Sequence, residues 1–102
     1  MAEAAFDEVI HAPLRLRICG LLSPVDRLDF AVIRTALGVS DATLSKQLKT
    51  LIASGYVASS KAASAGRDDA RRITWLSLTP DGRRAFDAHV RALQEIAGLN
   101  PK

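Results

Sequence analysis

One segment of this 102-residue chain places hydroxyl and ammonium groups at regular helical spacing. If Leu44 marks the inward direction and each residue turns the helix by about 100°, three apolar residues lie close to it: Leu48, Leu51 and Ile52. The opposite side carries threonine and lysine. Hydroxyl groups donate or accept hydrogen bonds, and ammonium groups donate to phosphate or to guanine O6 and N7. The pattern therefore predicts a helix with a buried back and a front suited to DNA.

The DNA-facing surface predicted for this segment comprises Ser40, Ala42, Thr43, Ser45, Lys46, Lys49 and Thr50. We expect Thr43 and Lys46 to reach base edges, and the serines and Lys49 to contact phosphate. The positive end of the helix dipole adds to phosphate binding at the N-terminus. Lysines on an isolated amphipathic helix are more often simply solvated, so the prediction of DNA contact depends on the elements that flank this helix.

Asp41 is an acidic residue in the first turn of the same helix. A carboxylate at this position stabilises the helix through its dipole, but it also repels phosphate. It could instead accept a hydrogen bond from a cytosine amino group. Of these two interpretations we favour the structural one.

A basic hairpin is predicted directly after this helix. Residues 56–62 and 71–78 have compositions typical of strands, and residues 64–70, SAGRDDA, are typical of a turn. The cationic residues of the hairpin are Lys61, Arg67, Arg71 and Arg72. We expect them to contact phosphate or the minor groove, where negative potential is concentrated, although an ordinary charged loop is the alternative. Arg71 and Arg72 point to opposite faces, so only one of them should meet DNA.

Capping residues predict where the helices begin and end. Pro13 suits the first turn of a helix over LRLRICGLL, Asp29 can cap the next helix, and Ser40 can cap the helix with the polar front. Gly38 stands where a left-handed residue closes a helix. The threonine and proline of LTPDG open a last helix, which is predicted to run to about residue 97.

The order of three helices, two strands and a final helix resembles that of a winged helix-turn-helix DNA-binding domain. The matching segments lie within residues 8–95 and are LRLRICGLL, DFAVIRTALGVSDATLSKQLKTLIASGYV and RRITWLSLTPDGRRAF. Within that class the chain resembles the small MarR-like transcriptional regulators. The resemblance implies a mainly α fold with a small β-hairpin. We therefore expect one domain over residues 1–102, with a three-helix core, a two-stranded wing and a C-terminal helix.

MarR-like proteins act as dimers, and the resemblance implies the same for this chain. Apolar patches on residues 1–12 and on the last helix, residues 80–97, could form the interface. The predicted interface residues are Phe6, Val9, Ile10, Phe86, Val90, Leu93 and Ile96. The alternative is that both patches cover the core of their own subunit. A two-fold dimer would place two recognition helices about one DNA turn apart.

Charge is concentrated in the middle of the chain. The net charge is +3, and residues 40–72 contain six basic and three acidic side chains, a local surplus that is also +3. A local cationic face indicates nucleic-acid binding better than overall charge does.

The remaining reactive residues favour neither catalysis nor metal binding. Cys19 lies beside an apolar stripe, as expected of a buried, inert thiol. His11 and His89 have no partner at metal-ligand spacing, which predicts surface or helix-end histidines. We find no catalytic, phosphate-loop or zinc signature, and so expect no enzyme, cofactor or metal. The single cysteine and the absence of a long apolar run predict a cytoplasmic protein.

The sequence thus predicts a homodimeric transcriptional regulator that binds specific double-stranded DNA. We expect a repressor, since nothing visible in the sequence could recruit a polymerase. One alternative is a winged helix that binds proteins, which should have an acidic or apolar front. Another is a sensor in which a small-molecule effector, of unknown identity, enters the dimer crevice.

Overall fold

The computed structural model describes residues 3–63 and 72–99. In chain order, the elements are α1 (Glu8–His11), α2 (Pro13–Leu22), β1 (Leu28–Asp29), α3 (Phe30–Leu37), α4 (Asp41–Ala53), β2 (Val57–Ala63), β3 (Arg72–Leu78) and α5 (Pro80–Ile96). The mainly helical architecture with a small sheet confirms the predicted fold class. Among the described residues, no helix is long and apolar enough to cross a membrane.

The predicted helix boundaries are confirmed by the capping hydrogen bonds. The side chains of Asp29, Ser40 and Thr79 each accept from a backbone N–H in the first turn of α3, α4 and α5, respectively. These bonds satisfy donors that a helix leaves unpaired at its start. Gly38 ends α3 at a φ of 68°, the left-handed conformation that favours glycine. The turn between α3 and α4 is therefore set by local chemistry at both ends.

The sheet contains one strand more than was predicted. Its order is β1–β3–β2, with both pairs antiparallel. In the additional pair, Leu28 lies opposite Leu76 and Asp29 lies opposite Trp75. The prediction of a two-stranded wing missed β1 because a two-residue strand is too short to show the alternation by which strands are recognised in a sequence. We call the β2–β3 hairpin the wing.

The hydrophobic core joins the inward faces of the helices to one face of the sheet. Its buried apolar members include Ile10, Ile18, Cys19, Leu22, Ile33, Leu37, Leu44, Leu48, Leu51, Val57, Leu76 and Leu78. The prediction that Ile52 is buried was wrong, because its side chain is 41% exposed. At about 100° per residue, Ile52 lies about 80° from Leu44 and therefore at the edge of the stripe.

Gly82, in the first turn of α5, packs directly against the main chain of Tyr56. A Cβ atom at position 82 would lie 2.0 Å from the Tyr56 carbonyl oxygen, a distance that real contacts do not reach. Only glycine allows α5 to approach the turn between α4 and β2 so closely. The glycine of LTPDG therefore fixes the position of α5, in addition to following the helix cap.

We expect Gly82→Ala to lower the free energy of unfolding by about 3 kcal/mol, since an added methyl group in a packed site forces the backbone apart. Urea unfolding monitored by circular dichroism measures this change. Gly20→Ala is the matched control. Its Cβ would meet only Phe86 Cζ at 4.0 Å, and alanine is the better helix former by up to about 1 kcal/mol. A Gly82→Ala protein as stable as the Gly20→Ala protein would contradict the close approach.

Candidate nucleic-acid interface

Apart from Ile52, the residues of α4 are buried or exposed as its sequence predicts. Leu44, Leu48 and Leu51 are buried, whereas Ser45, Lys46 and Lys49 are exposed. Ser40 and Ala42 are also exposed, and Thr43 and Thr50 are half-buried. Within the subunit, the polar front of α4 is open to solvent. We call this side of α4 the recognition face.

The hydroxyl groups on the recognition face differ in what they can still offer a ligand. Ser40 Oγ accepts from the Thr43 N–H and donates to Thr43 Oγ1, each at 3.1 Å. Thr43 therefore keeps its own hydroxyl hydrogen for an outside acceptor, while Ser40 is engaged in capping. Thr50 Oγ1 donates to the Lys46 carbonyl at 3.4 Å. Thr43 is thus the better placed of the two threonines for reading a base.

An ion pair joins the two helices at the exposed start of α4. Arg34 Nη1 lies 2.6 Å from Asp41 Oδ1, and both side chains remain partly exposed. This pairing supports the structural interpretation of Asp41, since Arg34 offsets a charge that would otherwise repel phosphate. Sequence reasoning missed Arg34. The available signal was its position on the far side of the short turn from Asp41.

The wing brings further positive charge to the side of the sheet that faces α4. Lys61 lies opposite Thr74, and Arg72 precedes Thr74 by two residues on the same strand. Directly opposed residues, and residues two apart, point to the same face of a sheet. Lys61 and Arg72 therefore share the face of Leu76, and both are exposed. The predicted contacts Arg67 and Arg71 lie outside the described residues.

A shallow apolar cleft separates the recognition face from the wing. It has a volume of about 240 Å³, and its lining includes Lys49, Ile52 and Leu76. Trp75 belongs to the opposite face of the sheet, where the Arg27 guanidinium lies 4.0 Å from its ring centroid. The tryptophan ring thus covers an edge of the fold away from the recognition face.

The residues predicted for a dimer interface differ in how far they are available to a partner. Phe6 is 46% exposed and Ile96 is 71% exposed. Val9, Phe86, Val90 and Leu93 are half-buried. Ile10 is completely buried, so the prediction that it contacts a partner was wrong. It lies on the side of α1 that faces the core of its own subunit.

His11 is exposed at the end of α1, as expected, whereas the expectation for His89 was wrong. His89 is completely buried, and its Nε2 lies 3.2 Å from Nδ1 of His11. Their separation of 78 positions in the chain concealed this contact. The sequence did contain a signal for the burial of His89, since this polar residue lies on the apolar side of α5 that carries Phe86 and Leu93.

Cys19 is buried as predicted, and burial, followed by the nearby Asp7 charge, raises the pKa of its thiol to about 11.

The family model for the winged helix DNA-binding domain matches residues 14–97. This range contains α2 to α5 and the whole of the recognition face. The chain belongs to the winged helix DNA-binding domain family. The sequence-based resemblance to winged helix regulators is thereby confirmed. Among curated proteins, no sequence matches this winged helix.

Solved structures of transcriptional regulators share the fold of this winged helix. A transcriptional regulator homologue from Pyrococcus horikoshii superposes with a TM-score of 0.81 at 21% identity, over 90% of this chain and 87% of that one. A MarR-family regulator from Porphyromonas gingivalis superposes with a TM-score of 0.65 at 20% identity, over 89% of this chain and 80% of that one. The adhesin competence repressor from Streptococcus pyogenes gives 0.67 at 26% identity, over 91% of this chain. This winged helix spans 64% of that repressor.

Proposed function

We propose that this winged helix is a homodimeric transcriptional regulator that binds a specific double-stranded DNA sequence and acts as a repressor. The observation that carries the proposal is the exposure of Ser45, Lys46 and Lys49 on a helix whose leucines are buried. In helix-turn-helix domains the second helix enters the major groove with its N-terminal residues at the base edges. In this chain that helix is α4.

The charges around α4 support binding to the DNA backbone as well as to bases. Lys46 and Lys49 are exposed on α4, and Lys61 and Arg72 share the α4-facing side of the wing. Contacts to phosphate set the position and orientation of a protein on DNA, while base contacts give specificity. We assign Thr43 and Lys46 to the bases, and Lys49, Lys61 and Arg72 to the flanking phosphates.

The assembly is inferred from the apolar side chains that the subunit leaves exposed. Ile96 is 71% exposed at the end of α5, and Leu99, three residues later, is 69% exposed. Phe6, which packs against His89 of α5, is 46% exposed. Burying such side chains against a second copy removes apolar surface from water. A two-fold dimer would present two recognition helices to successive major grooves. Occupying such a site is sufficient for repression wherever the site overlaps a promoter.

The protein-binding alternative predicts an acidic or apolar recognition face. The described residues of that face instead carry two exposed lysines, and Asp41 is paired with Arg34. A ligand-responsive sensor is the other alternative. That alternative places a small molecule in the crevice between two subunits, so it adds regulation to DNA binding and does not replace it. DNA binding is therefore the function that the geometry favours.

Selection of bound sequences from a random pool of duplex DNA, at physiological salt, tests the proposal. We expect enrichment of a two-fold symmetric consensus whose half-sites are about 10 base pairs apart, centre to centre. Enrichment of an asymmetric single half-site would overturn the dimer. A pool that remains random after repeated selection would overturn sequence-specific binding itself.

A further inference from the structure

Two histidines lie where the N-terminal segment (residues 3–12) meets α5. His89 is completely buried, and its Nδ1 accepts a hydrogen bond from the Asp7 backbone N–H at 2.9 Å. Its other ring nitrogen, Nε2, is 3.2 Å from Nδ1 of His11. Phe6 packs against both imidazoles, with ring centroids 4.7 Å apart in each case. The segment is therefore held by a directed chain of hydrogen bonds as well as by apolar contact.

The direction of this chain fixes where the protons are. Because the Asp7 N–H can only donate, Nδ1 of His89 carries a lone pair, and the single hydrogen of a neutral ring is on Nε2. That hydrogen is donated to Nδ1 of His11, so this nitrogen must also be without a hydrogen. A proton added to His89 would face the Asp7 N–H, and one added to Nδ1 of His11 would face the Nε2–H. The arrangement thus requires that Nδ1 be unprotonated in both rings.

On balance, the surroundings of His89 disfavour a positive charge on its ring. Burial lowers the pKa of His89, and neighbouring His11 lowers it further, while Asp7 acts in the opposite direction. The Asp7 carboxylate is itself engaged, since Oδ1 accepts from the Ile10 N–H at 3.1 Å and Oδ2 accepts from the Tyr56 hydroxyl at 2.6 Å.

Two other titratable groups near Asp7 stay neutral in mildly acidic and neutral solution. The hydrogen bond to Asp7, together with burial, raises the pKa of Tyr56 to about 12. Burial raises the pKa of the Cys19 thiol to about 11. Unlike these two groups, His89 has an ordinary pKa of 6.5, which burial lowers, so its ring takes up a proton in mildly acidic solution once it is exposed to water.

We propose that Phe6, Asp7, His11, Tyr56 and His89 form a pH-responsive latch, which holds the N-terminal segment against α5 in neutral solution and releases it in mildly acidic solution. The latched state binds fewer protons at His89 than the released state does, because burial lowers the pKa of that ring. Falling pH therefore favours release, and rising pH favours closure. The contribution of His89 to closure is fully present above its ordinary pKa of 6.5 and is lost as the pH falls below that value.

Release would affect more than the first few residues. The Ala5 N–H of the segment also donates to the Ala88 carbonyl at 3.0 Å. The Asp7 carboxylate of the segment accepts from the hydroxyl of Tyr56, which lies just after α4. Release breaks both connections. On the proposed function, the segment and α5 also form the dimer interface, so acidification would weaken dimerisation and DNA binding. That consequence rests on the proposed function, whereas the latch itself does not.

Amide hydrogen exchange in the free protein, followed by NMR, tests the latch without DNA. The informative amides are those of Asp7 and Ile10, because both are hydrogen-bonded within the latch. After correction for intrinsic exchange, we expect the opening equilibrium to rise as the pH is lowered from 7.5 to 5.5. Below the ordinary histidine pKa the rise is about tenfold per pH unit for each proton taken up. Opening that is independent of pH would overturn the proposal.

His89→Asn is the matched variant. The asparagine Oδ1 takes the place of Nδ1 and still accepts from the Asp7 N–H, but the amide does not take up a proton near neutral pH. We expect protection of the Asp7 amide to become insensitive to pH between 5.5 and 7.5. The same pH dependence as in the wild type would show that His89 does not control release.

A second measurement on the wild type keeps the latch testable if His89→Asn does not fold. The ¹⁵N shifts of the His89 ring report its tautomer directly. At pH 7.5 we expect the His89 ring to carry its hydrogen on Nε2 and none on Nδ1. A charged His89 ring beside a still-protected Asp7 amide at pH 5.5 would overturn the latch. Failure to bind DNA at any pH would overturn the proposed function and leave this result unaffected.

Discussion

Lys46→Glu combined with Lys49→Glu should reduce affinity for the selected DNA by at least about 100-fold. In the proposed complex each lysine donates to a phosphate or a base edge, a contact that contributes about 1–3 kcal/mol, and glutamate replaces attraction with repulsion. Both side chains are exposed, so the free energy of unfolding should change by no more than about 0.5 kcal/mol per substitution. Fluorescence anisotropy with labelled duplex measures the affinity, and circular dichroism confirms the fold.

The matched control for this double variant is Arg27→Glu combined with Arg84→Glu. It changes the net charge by the same amount, and both arginines are exposed at positions away from the recognition face. Arg27 lies over Trp75, and Arg84 pairs with Asp81 on α5. We expect this control to keep most of the wild-type affinity. Equal losses in the two variants would mean that overall charge, and not α4, determines binding.

Ile96→Glu combined with Leu99→Glu should convert the dimer to a monomer. Both side chains are more than two-thirds exposed in the isolated subunit, so the subunit itself loses little packing. In a dimer interface, the same substitutions would bury carboxylates without partners, which is strongly unfavourable. Sedimentation velocity measures the change in mass. Affinity for a two-half-site duplex should fall by about 100-fold or more, since two linked contacts bind far more tightly than one.

Val32→Glu provides the comparison for the interface variant. Val32 is 51% exposed on α3, away from α5 and the N-terminal segment. We expect it to leave the oligomeric state unchanged. A wild-type protein that sediments as a monomer at micromolar concentration would contradict the proposed assembly. So would an Ile96→Glu/Leu99→Glu protein that remains a dimer.

Local chemistry explains why much of this fold was predictable. Asp29, Ser40 and Thr79 mark helix starts because each side chain caps the backbone a few residues ahead. Gly38 marks a helix end because a left-handed residue is needed there. These signals lie within a few residues of their effects, so the sequence displays them directly.

The features that were missed depend on contacts between distant parts of the chain. His11 and His89 meet only after α1 has packed against α5. The two residues of β1 become a strand only because β3 offers a free edge. The sequence around Gly82 predicts only the start of a helix, whereas the close approach of Gly82 to Tyr56 is visible only in three dimensions. Patterns along one segment carry no information about such partners.

The recognition face was predictable because helical periodicity alone places the lysines of α4 on one side of the helix and its leucines on the other. Its finer properties were not. The engagement of Thr50 with the Lys46 carbonyl and the pairing of Arg34 with Asp41 depend on side-chain geometry. These contacts change which groups remain free on the recognition face, and in the proposed complex they favour Thr43 as the hydroxyl that donates to a base edge.

Site-directed DNA cleavage most directly tests the central claim that the exposed side of α4 lies in the major groove. An iron chelate attached to Ala42→Cys would sit on that side, and the native Cys19 is buried with a raised pKa and should not react. We expect cleavage centred on the major groove of each half-site, with none from a chelate on Gln94→Cys in α5. Binding without cleavage from position 42, or equal cleavage from position 94, would contradict it.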